Sequence, residues 1–206
     1  MISLKTIYTD LASLYSHNNT LINTCWNEIE TCYSESHRAY HNLAHLEFLF
    51  QQLSDVRSRV GDWDTVLFSV FYHDIVYDTK GNINEEQSAD LATERLTQLG
   101  FPKEKIKNCQ RQILATKGHT MSNDNDTDLF TDADLSILGQ SKEVYMMYSK
   151  QIRQEYSQYP DDVYGSGRKK VLEHFLKMDR IYKSEPFFSK FEKQARENLS
   201  LELKTL

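Results

Sequence analysis

The chain has 206 residues, with 24 Lys and Arg against 30 Asp and Glu and a formal net charge of −6. That length suits one domain with a sizeable core, and the acidic balance excludes a protein that follows a nucleic-acid backbone over a broad basic face. Apolar runs stay far short of a membrane span and the first residues carry no apolar signal segment, so a cytoplasmic protein without a membrane partner is expected.

Seven Gly and three Pro are few for this length and favour long helices. Helical spacing of apolar residues predicts helices over about 4–16 and 20–36. After a break near 34–38 a helix is expected over about 41–60, ended by Gly61. Asp62 can cap the next, over 62–77, which carries Trp63, Val66, Leu67, Val70 and Phe71. Thr79 to Asn82 read as a turn. Asn84 opens a helix to Leu99 with Gly100 as its stop, and Pro102 starts another to about Thr116. Gly118 to Asp126 is a polar loop. A short helix follows over about 127–139, then one over 142–158 with Tyr145, Tyr148, Ile152, Tyr156 and Tyr159 near one face. Pro160 to Gly167 reads as a loop before helices over about 168–182 and 187–204. No segment alternates with period two, so the expected fold class is all-α: one domain over 1–206, with a core of about 20–140 and C-terminal helices of about 141–206 packed on it. Cys25, Cys32 and Cys109 are odd in number and lack a CxxC spacing, so they read as small buried apolar residues.

Ionisable residues interrupt these apolar stripes. Asp74, preceded by His73, falls at the next core register after Val70 and Phe71. His45 lines up with Leu49, Leu53, Val56 and Val60, with His41 one turn earlier on the same face. Asp134 sits four residues from both Phe130 and Leu138, on the stripe, whereas Asp132 falls off it. A carboxylate at a core position is costly unless paired or coordinated. His45, His73, Asp74 and Asp134 form a mixed N/O set suited to a divalent ion (Mn, Mg, Ni, Fe, Co or Zn) in an open site that retains water. An adjacent His–Asp pair has a plainer reading as an orienting hydrogen bond.

His45, then His73-Asp74, then Ala133-Asp134-Leu135 resembles the H…HD…D signature of the HD-domain metal-dependent phosphohydrolases, over about residues 37–139. The wider pattern, with Ile152-Arg153-Gln154-Glu155-Tyr156 and Gly167-Arg168, is similar to a bacterial group described as predicted HD-superfamily phosphohydrolases. Tyr40-His41-Asn42-Leu43-Ala44-His45 is similar to the YHNxxH motif of class I cyclic-nucleotide phosphodiesterases, which share the HD core. In that family the second His binds metal and the first protonates the leaving oxygen, which implies His45 as ligand and His41 as general acid. The His-Asp pair here continues into Ile75-Val76-Tyr77, not into another Asp-His, so the role of His41 carries over and the substrate does not.

The resemblance implies an HD helical bundle with a C-terminal helical extension, hydrolysing a phosphoester by a metal-activated water. Asp74 would bind metal and could also take the proton of the attacking water. Glu86 or Glu85 would reach the metal water, and His119 would approach the site or a second metal, one ion being favoured over two. Arg153, and Arg168 at a helix N-terminus, would supply positive charge for phosphate. The expected partner is a small phosphorylated molecule, foremost a nucleotide, and a homodimer is left open. Two rivals are a non-catalytic nucleotide-binding sensor and a di-iron HD-type oxygenase, the second needing additional His ligands.

Overall fold

The computed structural model describes residues 3–206. Among these the chain is all-helical, with ten α-helices, two 3₁₀ turns and no strand. No helix among the described residues is long and apolar enough to cross a membrane. The chain divides into two compact units, Met1–Thr120 and Met121–Leu206, so the segment 121–140 groups with the C-terminal helices.

The first unit holds α1 (Leu4–Ser13), α2 (Asn19–Cys32), α3 (Leu43–Asp55), a 3₁₀ turn (Arg57–Arg59), α4 (Trp63–Tyr72), α5 (Asn84–Leu99) and α6 (Lys103–Ala115). Helix α4 packs against α3, α5 and α6, and every residue from Thr65 to Tyr72 is buried. One apolar stripe was expected there. The helix is instead apolar nearly all round, as a central helix must be. From α1, the Tyr8 ring meets Phe71 edge-on at 5.1 Å and its hydroxyl meets that of Tyr72 at 2.8 Å. Cys25 and Cys109 are buried free thiols, and burial pushes the Cys109 thiol up to about 12.

Local chemistry sets the helix ends and shortens two of them. The Asn42 side chain accepts from Ala44 N–H, so α3 begins at Leu43 and His41 lies before the helix rather than on it. Asp62 caps α4, as expected, but α4 ends at Tyr72, five residues early; His73 is its C-cap and Asp74 stands in the following turn. Gly100 stops α5 in the left-handed region at φ 81°, while Phe101 N–H returns to Leu96 O at 2.9 Å.

The second unit holds α7 (Asn125–Leu135), a 3₁₀ turn (Ser136–Gly139), α8 (Lys142–Glu155), α9 (Asp161–Lys177) and α10 (Glu185–Leu203). Helix α10 packs on α7, α9 and the 3₁₀ turn. A Cβ at Gly139 would lie 2.5 Å from Phe191 Cβ, so only glycine admits that approach. The loop expected over 160–167 is the first half of α9, where Asp161 and Asp162 favour the helix N-terminus. Gly165 and Gly167 thus sit inside a helix at a cost of about 1 kcal/mol each, and no atom lies within 4 Å of a Cβ at either, so packing does not explain them.

The two aspartates of α7 reverse their expected burial. Asp132 is fully buried and Asp134 half-buried, because α7 is covered on most sides and has no single inward stripe. Asp132 accepts from Lys183 N–H (2.9 Å), Ser184 N–H (2.7 Å) and the Ser184 hydroxyl (2.6 Å), and faces Lys183 Nζ at 3.1 Å.

Candidate metal centre

Two segments of the first unit carry the candidate site: residues 40–45, entering α3, and residues 73–74, leaving α4. His45 lies in the first turn of α3 and is buried. His73 keeps helical backbone angles and donates its N–H to Ser69 O at 2.9 Å, which holds its ring in the core. Its Nδ1 lies 3.0 Å from the Val70 carbonyl, which can only accept. The proton there resides on Nδ1, which turns Nε2 away from Val70.

That Nε2 lies 3.1 Å from His45 Nε2 and 3.1 Å from Asp74 Oδ2. His41 Nε2 stands 3.9 Å from the same Asp74 oxygen, beyond hydrogen-bond reach. The His41 ring lies 5.7 Å from that of His45, between Tyr77 at 4.3 Å and Tyr40 at 5.0 Å. The approach of His41 to His45 survives the loss of the expected helical turn because the extended Asn42 brings the chain back over α3.

His45, His73 and Asp74 each offer one ligand atom, all within 4.8 Å of one another, and this group could hold a metal ion. The donor chemistry fits one. With Nδ1 on the Val70 carbonyl, His73 Nε2 is the ring atom left to meet the Asp74 oxygen at 3.1 Å, a spacing that a shared cation or a proton can bridge. The 3.1 Å between His45 and His73 Nε2 is of the size that two imidazole nitrogens held about 2.1 Å from one ion would span. Two nitrogens and a carboxylate without thiolate suit a first-row divalent ion better than Cu(I).

The other expected site residues lie on further segments. Glu86, on the first turn of α5, pairs with Lys117, which also lies 3.7 Å from Glu85 and donates to Asn82 O at 2.8 Å. The hydrogen bond from Lys117 holds the Glu86 carboxyl below its ordinary range. His119 closes the turn after α6 in the left-handed region at φ 48°, with its N–H on Ala115 O at 3.0 Å. Asp134 belongs to α7 of the second unit.

The two arginines expected at a phosphate are committed to the protein. Arg153 donates to Tyr156 O (2.8 Å) and Tyr159 O (3.0 Å) and pairs with Asp161 (2.6 Å), joining the end of α8 to the start of α9. Arg168 is inside α9, not at a helix N-terminus, and is buried in a two-pronged pair with Glu202 at 2.8 and 3.0 Å.

Two residues that sequence did not single out, Tyr33 and Arg38, hold the His73-Asp74 turn. Arg38 falls in the segment read as a plain break; its one signal was a cation two residues before Tyr40-His41-Asn42. Comparison with protein-family models, with curated proteins and with solved structures found no match to this chain.

Proposed function

We propose that this protein is a metal-dependent phosphohydrolase of the HD type, acting on a small phosphorylated molecule, foremost a nucleotide. The observation that carries this reading is the convergence of His45 Nε2, His73 Nε2 and Asp74 Oδ2, with His41 beside the same carboxylate. His45, His73 and Asp74 would hold one divalent ion. When bound, the ion supplies a water acidic enough to act at neutral pH and offsets charge on the phosphoryl oxygens.

The chain's own groups do the rest. The second oxygen of Asp74 can accept the proton of the attacking water. His41 serves as the acid that protonates the leaving oxygen: its side chain is a fifth exposed, so a substrate reaches it, and an imidazole titrates close enough to neutrality to give up a proton. The Tyr40 and Tyr77 rings flank it and limit its rotation. Neither Arg153 nor Arg168 is assigned to substrate, since Arg153 is engaged by Asp161 and two carbonyls and Arg168 by Glu202.

The test is a phosphatase and phosphodiesterase panel over nucleotides, run on metal-stripped protein reloaded separately with Mn²⁺, Mg²⁺, Ni²⁺ and Co²⁺. Hydrolysis is expected only after reloading, and His73→Ala is expected to lose both metal uptake and activity. Metal uptake and nucleotide binding without hydrolysis would replace the reading by a nucleotide sensor. Oxygen-dependent di-iron absorption bands would replace it by an oxygenase.

A further inference from the structure

We infer that Arg38 is a positioning residue of this centre: its guanidinium locks the backbone of the His73-Asp74 turn to that of the His41 segment and so sets the spacing of the donor atoms. The inference rests on the metal-centre reading above.

The Arg38 side chain is 1% exposed. Its Nη1 donates to Asp74 O at 2.6 Å and to His41 O at 3.4 Å, its Nη2 to Ile75 O at 2.9 Å, and its Nε to Glu35 Oε2 at 2.9 Å. The rings of Tyr33 and Tyr77 flank the guanidinium, 5.1 and 5.4 Å from its carbon. A buried cation with a single, partly exposed carboxylate partner is a costly way to hold a turn, and apolar packing would do as well for stability alone. What apolar packing cannot do is bind three carbonyls drawn from two separate segments, one bearing the candidate acid and one the candidate ligands.

The need arises where α4 stops. Carbonyls at and beyond a helix C-terminus lack intrahelical donors, and a cation there also complements the helix dipole. The guanidinium answers with a planar fork whose directions are fixed; a lysine ammonium has no such fork. Tyr33 completes the hold from the other side, accepting Asp74 N–H at 3.1 Å. Asp74 is therefore fixed at both its N–H and its carbonyl, which leaves only its side-chain torsions to aim Oδ2 at His73 and His41. The neighbouring Val76 N–H is tied to Ser88 Oγ on α5 at 3.1 Å, so the whole turn is pinned.

The experiment uses the full chain carrying Arg38→Lys, stripped of metal and titrated with Co²⁺ while the visible absorption bands report ligand geometry. Thermal unfolding of the metal-free protein and separate kcat and KM values accompany it. The variant is expected to fold, to bind Co²⁺ about 10–100-fold more weakly, the usual effect of disturbing groups that orient ligands, to show altered bands, and to lose kcat with KM little changed. A folded Arg38→Lys with wild-type Co²⁺ affinity and bands overturns the inference and leaves the proposed function standing. Wild-type protein that takes up no Co²⁺ overturns the centre itself and this inference with it. Should Arg38→Lys fail to fold, Arg38→Gln, which keeps an amide donor without the guanidinium fork, takes its place; the same weakening and band change are expected, and unchanged affinity and bands overturn the inference.

Discussion

Both units bury clusters of ionisable side chains, and they close them in opposite ways. In the second unit three carboxylates, those of Asp132, Glu192 and Glu202, face donors. Asp132 has Lys183, two backbone N–H groups and the Ser184 hydroxyl. Glu192 has the N–H groups of Ile181 and Tyr182 together with Arg196, and Glu202 has Arg168, Tyr145 and Ser149. In the first unit His45, His73 and Asp74 turn ligand atoms toward one another. Burial of a carboxylate is thus uninformative by itself. A carboxylate ringed by the protein's own ammonium, guanidinium and N–H donors fastens helices together, whereas one grouped with two imidazoles is suited to a cation from outside.

The largest effect expected from this contrast is at Asp74. Asp74→Asn should lose metal uptake and hydrolysis to background, while its thermal midpoint stays near that of the parent, because functional sites are held at a cost in stability. Metal analysis and calorimetry on one preparation read both. A large loss of stability with metal retained would break the contrast. Next comes His41→Ala, expected to lower kcat by about 10²–10⁴-fold with metal content unchanged; loss of metal in that variant would make His41 a ligand instead of the acid. Asp132→Ala should behave in the reverse sense, costing roughly 3–5 kcal/mol in urea unfolding because it strands the buried Lys183 ammonium, and its folded fraction should bind metal normally.

The same contrast explains what could be read from sequence. Helix starts and stops governed by one nearby side chain were legible: Asp62 caps α4 and Gly100 ends α5. Ends fixed by distant partners were not. Helix α4 stops at Tyr72, just before the turn that Arg38 and Tyr33 grip, and the start of α9 carries glycines that local propensity reads as a loop. The site residues show the same divide. Periodicity expected His45 on the apolar face of its helix, and it is buried in α3. Asp74 reached the cluster through a turn instead of the helical stripe expected for it. Asp132 and Asp134 exchanged burial because Lys183 and Ser184, some fifty residues away along the chain, decide which carboxylate is buried.

The smallest expected effect lies in acid, in the second unit. Burial works against the Glu202 carboxylate, but the hydrogen bonds and charge of Arg168, with those of Tyr145 and Ser149, outweigh it and hold its pKa below the ordinary range. The folded state therefore takes up that proton less readily than the unfolded chain. The stability this supplies is complete above the ordinary value of about 4.5 and drains away as pH falls through the lower folded value. Thermal unfolding of the parent should accordingly lose stability from about pH 4.5 downward. Glu202→Gln should be less stable at neutral pH, with Arg168 left without its counter-charge, yet show a flatter acid slope; equal slopes in the two proteins would mean that Arg168 does not hold this carboxylate ionised. Since the cluster closes on its own donors, the variant should also leave the pH profile of hydrolysis in place. A profile that moved with Glu202 would show that the two kinds of cluster are not separate in function.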